Sequence, residues 1–251
     1  MCGRYALYGP KSMSRQEKSA LDDGAEALIR RFVERYLESF PPRYNIAPQQ
    51  GNPANYVPVV RAAAGGVPEI VPMQWWLLPH WSKEPRVRFT SFIARVEGVA
   101  DAASFRLPFR RRRCLVPASG WYEWQELTSG NLPWFVYPRG GETALLAGVW
   151  DRWEREGSVV ESCAIITGPA NETVGRFHDR MPFPLPAANQ DAWLDPALTD
   201  AQAVRELLQP VPADAVRAHR VDKRVNSARN HGPELTQPID EAPAGEDAGE
   251  A

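Results

Sequence analysis

The sequence predicts an α+β domain, and three observations carry that prediction. Apolar residues recur at helical spacing in a segment near the start of the chain. Valine, aromatic, glycine and proline residues crowd the stretch from Pro58 to Trp153 at short intervals. Beyond it, one apolar run of strand character is followed by short runs of helical character.

In chain order, the first element falls in the second half of Ser14 to Phe40. There Leu28, Phe32 and Leu37, with Ala25, Ile29 and Val33, stand at the spacings of an amphipathic helix, and Pro41 and Pro42 stop it. Between Pro58 and Trp153 the runs CLVPASGWYEW, PWFVYP and ALLAGVW read as strands of a mixed or closed sheet. ESCAIITG reads as a buried strand, and DAWLDP with AQAVRELLQPV fits a short helix ended by Pro210. Internal repeats, a Gly-rich phosphate loop and a Gly-x-Ser-x-Gly elbow are not found in the sequence.

With 251 residues, 43% of them hydrophobic, the chain can bury a full core, and residues 2–237 read as one domain. The formal net charge of −2 hides an asymmetry. From Pro238 onward there are five acidic residues and no basic ones, which leaves 29 basic against 26 acidic in residues 1–237. Residues 238–251 are therefore expected to form a disordered acidic tail, and the modest charge of the body argues against blanket affinity for nucleic acid. The polar start and the lack of a long apolar run predict a cytoplasmic protein with no membrane partner. Cys2, Cys114 and Cys163 form no CxxC pair and show no metal-ligand spacing with the four histidines, so no metal is expected. Cys114 and Cys163 read as buried thiols.

Cys2 is different. Removal of Met1 would leave a cysteine bearing both a free α-amine and a thiol, a 1,2-aminothiol that no internal cysteine can provide. Such an amine condenses with an aldehyde to an imine, which the sulfur then closes to a thiazolidine. Its reference pKa of about 7.7 to 8.0, against about 8.5 for the thiol, leaves a nucleophilic fraction at neutral pH. Two further residues suit proton transfer. Glu123 lies among three aromatics in Gly120-Trp121-Tyr122-Glu123-Trp124, where desolvation would raise its pKa; the other reading is a solvent-facing strand residue. His178 is followed by Asp179 and Arg180, and imidazole titrates near neutral pH; the other reading is a surface-loop histidine.

Taken in order, these pieces resemble one family. The start MCGRY is followed by Arg43 to Pro48 (RYNIAP), Trp75 to Trp81 (WWLLPHW), Ala94 to Glu97 (ARVE) and Phe109 to Pro117 (FRRRRCLVP). Then come GWYEW, His178 to Pro182 (HDRMP) and Val225 to Asn230 (VNSARN). The chain is similar to the SOS response-associated peptidase-like (SRAP) family, proteins that shield abasic sites in single-stranded DNA, over Met1 to about Leu235. The resemblance implies a single compact domain around a β-barrel-like mixed sheet with flanking helices. It further implies a basic cleft for single-stranded DNA ending at the processed N-terminus, and chemistry that needs no cofactor. Cys2, Glu123 and His178 match the residues the family uses. Cys2 would form the covalent adduct, His178 would protonate the sugar ring oxygen, and Glu123 would move protons during imine formation and ring closure. A monomer associated with the nucleoid is expected. The rivals are an N-terminal-nucleophile cysteine peptidase and a single-stranded DNA-binding module without chemistry.

For the DNA-facing surface, Arg4 and Arg95 are nominated as phosphate ligands and Trp75, Trp76 and Trp124 as stacking platforms, although tryptophan is also an ordinary core residue. The run Arg110 to Arg113 reads either as a phosphate track or as a solvated face. Asn45 and Asn226 are expected to brace the backbone near the site. Two positions depart from the family pattern. Ile93 precedes Ala94-Arg95 where the family has an active-site asparagine, and Trp76 stands where glycine is frequent. Isoleucine can neither donate nor accept a hydrogen bond, so slower crosslinking is expected unless Ser91 or a water fills the role.

Overall fold

The structure is a computed structural model that describes residues 3–8, 28–51 and 53–239. Cys2, Ala25 and the acidic residues from position 240 lie outside them.

Helix α1 (Leu28–Leu37) forms in the predicted segment and ends before Pro41. Ile29, Val33 and Leu37, repeating every four residues, make its buried stripe. Phe32, expected in that stripe, is 41% exposed, because the stripe leaves it on the flank of the helix.

Two sheets follow. The smaller has the order β12 (Val216–Arg220), β8 (Leu132–Pro138), β7 (Gly120–Gln125), β1 (Tyr5–Leu7) and β2 (Arg43–Ile46). The larger contains β3 (Tyr56–Ala62), β4 (Pro68–Trp75), β6 (Arg113–Ala118), β9 (Ala144–Arg155) and β10 (Ser158–Pro169). Their pairings run in a circuit, β10 to β4, β3, β6, β9 and back to β10, which gives the barrel-like character. The β10–β4 pairing is parallel and the others in the circuit are antiparallel, so the sheet is mixed. Two short strands, β5 (Ile93–Arg95) and β11 (Arg180–Pro182), pair with the C-terminal half of β10.

Helix α2 (Arg106–Arg111) precedes β6. The expected single late helix is two, α3 (Ala187–Leu194) and α4 (Ala201–Glu206), broken at Asp195-Pro196 because proline cannot continue the backbone ladder. Asp200 restarts it by accepting the Ala203 N–H at 2.8 Å.

The core lies between the sheets and is anchored by the fully buried Trp75, Trp121 and Trp193. Tyr5 packs edge-on against Trp75 at 5.0 Å between ring centroids, which ties the first strand to the larger sheet. Gly120 makes the crowded start of β7 possible. A Cβ there would lie 2.4 Å from the Phe135 ring and 2.5 Å from the Val136 carbonyl oxygen. Cys114 and Cys163 are buried free thiols, and burial pushes both pKa values up, so neither is a ready nucleophile.

Candidate active site at the start of β1

β1 delivers the beginning of the chain to the GWYEW strand. Tyr5 is in register with Trp121 and Ala6 with Gly120, and the Arg4 carbonyl accepts the Tyr122 N–H at 2.9 Å. Alternation along β7 then sorts the aromatic cluster. Glu123 shares the inner face with Trp121 and is fully buried, so the solvent-facing reading does not hold. Tyr122 and Trp124 take the opposite face.

The imidazole of His178 comes to Glu123 from a separate segment. Its Nδ1 lies 3.5 Å from Glu123 Oε2, 2.8 Å from the Arg180 carbonyl oxygen and 3.7 Å from the exposed Asp179 carboxylate. Nδ1 thus faces three acceptors and one donor, the Arg180 N–H at 3.1 Å, and Nε2 is the atom assigned to gain and release a proton. The side chain is only 13% exposed, and burial, the largest influence, lowers the His178 pKa below 6.5. Trp134, in register with Glu123, stacks face to face on Phe177 at 4.6 Å, which fixes the backbone just before the histidine.

Arg4 Nη1 donates to Asn45 Oδ1 and to the Val225 carbonyl, both at 2.7 Å, and its guanidinium sits 5.8 Å from the centre of the Trp124 ring. The guanidinium expected at a phosphate is thus partly committed to the protein. Asn45 spends its amide on the carbonyls of Val225, Ser227 and Asn230 and so braces that loop. Asn226 braces a side chain instead, accepting the Trp124 indole N–H at 2.7 Å. Gly3, Arg4, Trp124, Asn131 and Asn226 line one open cavity of about 290 Å³.

The remaining nominated residues divide. Trp75 is fully buried and donates to the Phe92 carbonyl at 2.9 Å; a ring with no exposed face cannot stack on a base, so it is a core residue rather than a stacking platform. Trp76 is half-buried against Phe92. Arg95 is exposed at the end of β5. In the arginine run, Arg113 is buried and donates to the carbonyls of Phe109, Arg110, Trp193 and Asp195, and Arg112 pairs with the buried Asp151. Only Arg110 and Arg111 are exposed, so the run is not one phosphate track. Ile93 is 7% exposed and in register with Ile165. Ser91 does not stand in for an amide there, because its hydroxyl donates to the Leu77 carbonyl at 2.7 Å.

Sequence reasoning assigned no role to Arg180, Glu97 or Asn131. Arg180 makes two 3.0 Å bonds to Glu97 and one of 2.8 Å to the Thr167 carbonyl, which ties the His178 segment to β5 and β10. Arg180 and Glu97 nevertheless fall inside the family-like segments HDRMP and ARVE. Asn131 lies outside all such segments.

The family model described as SOS response associated peptidase (SRAP) matches residues 1–228. Among curated proteins, the abasic site processing protein YoqW of Bacillus subtilis is 32% identical over 242 residues, covering 94% of this chain and 99% of its own. The abasic site processing protein HMCES of Mus musculus is 28% identical over 274 residues, covering 96% and 76%. Among solved structures, a protein from Bacteroides thetaiotaomicron superposes with a TM-score of 0.70 at 22% identity, covering 95% of this chain and all of that one.

Proposed function

This chain belongs to the SOS response-associated peptidase (SRAP) family, and from that premise we propose that it processes abasic sites in single-stranded DNA by forming a covalent thiazolidine between Cys2 and the lesion's aldehyde. The reading is carried by one observation. The buried Glu123 carboxylate and the His178 imidazole stand 3.5 Å apart beside β1, the strand that Gly3 and Arg4 lead into, and Cys2 directly precedes Gly3 in the sequence. Buried proton-transfer groups next to a chain start suit the chemistry of an α-amine.

Removal of Met1 comes first. An abasic site is mostly a closed hemiacetal; protonation of its ring oxygen by His178 Nε2 opens it to the aldehyde. The Cys2 amine adds to the carbonyl carbon, and the carbinolamine loses water to give the imine. The sulfur then adds to the imine carbon while the nitrogen takes a proton, with Glu123 carrying protons in these last steps. One water leaves overall. Trp124, with a half-exposed ring held by Asn226 and Arg4, is the stacking platform for an unpaired base. Arg95 contacts a phosphate. The acceptance test is an incubation of Met1-free protein with a single-stranded oligonucleotide bearing one abasic site. Denaturing gel and intact mass should show a heat-stable adduct equal to the sum of the partners less one water. No adduct from protein that still binds the strand would point to a binding-only module.

The pH profile should report His178. Its acid form is fully populated only below its lowered pKa, whereas the amine is fully neutral only above about 8. The adduct rate should therefore rise with pH up to a value below 6.5, run level, and fall again above about 8. In His178→Ala the alkaline fall should vanish, leaving a slower rate that climbs to about pH 8 and stays there. A variant that keeps the alkaline fall would remove His178 from the acid role.

Replacing Ile93 by asparagine should raise the adduct rate by up to about tenfold, the worth of one neutral hydrogen bond. An unchanged single-turnover rate would separate position 93 from the reacting groups.

A further inference from the structure

Away from the cavity at Arg4 and Trp124, the surface carries a second opening of about 300 Å³, lined by Thr90, Ile93, Arg95, Gly98, Ala102 and Phe105. Its interior is largely apolar, through Ile93, Ala102 and Phe105, and Arg95 is the charged group in its wall. The surroundings are aromatic and basic. Trp81 is 48% exposed and its indole donates to the carbonyl of Ala103, next to Ala102. Phe89, which precedes Thr90, is 44% exposed. Arg88 and Arg106, neighbours in sequence of Phe89 and Phe105, are exposed as well. Of the acidic residues in this stretch, Glu97 is neutralised by its pair of bonds to Arg180, while Asp101 faces solvent.

An apolar recess with a guanidinium in its wall and aromatic rings near its edge matches a flat, uncharged heterocycle attached to a phosphate. The opening is also joined to the active site. Arg95 is in register with Thr167, whose carbonyl accepts from Arg180, and the Arg180 N–H lies 3.1 Å from His178 Nδ1. Ile93 suits this use better than an amide would, since it packs against a base without leaving a polar group unpaired when the recess is filled.

We propose that this opening is a base-binding subsite, in which an unpaired nucleobase of the bound strand packs against Ile93 and Phe105 while Arg95 holds a phosphate of the same strand. The proposal rests on the reading that the protein binds single-stranded DNA. The probe is a single-stranded oligonucleotide carrying an unreactive tetrahydrofuran abasic analogue, so that binding is measured apart from adduct formation. 2-Aminopurine is placed at successive positions around the analogue. One position is expected to change its emission on binding, and replacing the base there with a second abasic spacer should weaken affinity about 5- to 150-fold, the range for one stacked base. Ala102→Trp, which fills the opening from an exposed position, should abolish both effects, and Thr90→Trp should do the same from the other side of the chain segment. Wild-type affinity and an unchanged emission profile in both variants would overturn the subsite. If the wild type makes no adduct with a true abasic site and yet shows the responsive position, the subsite stands and the crosslinking reading falls; an adduct with no responsive position gives the reverse.

Discussion

Cys2→Ala is expected to reduce the heat-stable adduct to below detection while leaving affinity for single-stranded DNA within about twofold, because this substitution removes the sulfur and keeps the amine. Alanine at the processed terminus can still condense with the aldehyde, but the chemistry stops at an imine, which water hydrolyses. Borohydride added during the incubation should therefore trap a reduced adduct from the variant that is absent without it. Cys114 and Cys163 offer no substitute, being fully buried with thiols pushed up in pKa. Protein retaining Met1 should fail in the same way, since its Cys2 nitrogen is an amide. An adduct of undiminished yield from Cys2→Ala would sink the mechanism, whatever the behaviour of Glu123 and His178.

Much of the fold was legible because its elements are locally marked. The four-residue repeat of Ile29, Val33 and Leu37 announces α1, and the pair Pro41-Pro42 closes it. GWYEW drew attention to Glu123 without revealing its orientation. Alternation places Glu123 and Trp121 on one face, but which face is inner depends on the pairing of β7 with β1 and β8, partners that lie far apart in sequence. Trp75 was misassigned for a related reason. Tryptophan serves cores and nucleic-acid surfaces alike, and its burial here follows from β4 lying between β3 and β10 and from the Tyr5 ring against it. The arginine run divides on the same principle, since the turn from α2 into β6 sends Arg113 inward to four carbonyls and leaves Arg110 outside. Long-range register decides such cases, and one sequence carries little of it.

Glu123→Gln should slow adduct formation by about 10²- to 10⁴-fold, the usual worth of a positioned proton-transfer group, with DNA affinity unchanged. Glutamine keeps the shape of this fully buried side chain, and it loses only the ability to take and return a proton. A purely structural role would show differently. It would lower the urea midpoint and the affinity together, and Glu123→Asp, which keeps the carboxyl, would be no better than the amide. Under the catalytic reading the aspartate variant recovers part of the rate. Because Glu123 Oε2 and His178 Nδ1 are 3.5 Å apart, the two groups should act as a unit. Adding His178→Ala to Glu123→Gln should then cost far less than the product of the two single losses. Losses that multiply fully would mean that the carboxylate and the imidazole act independently, and the coupling expected from their 3.5 Å contact would have to be abandoned.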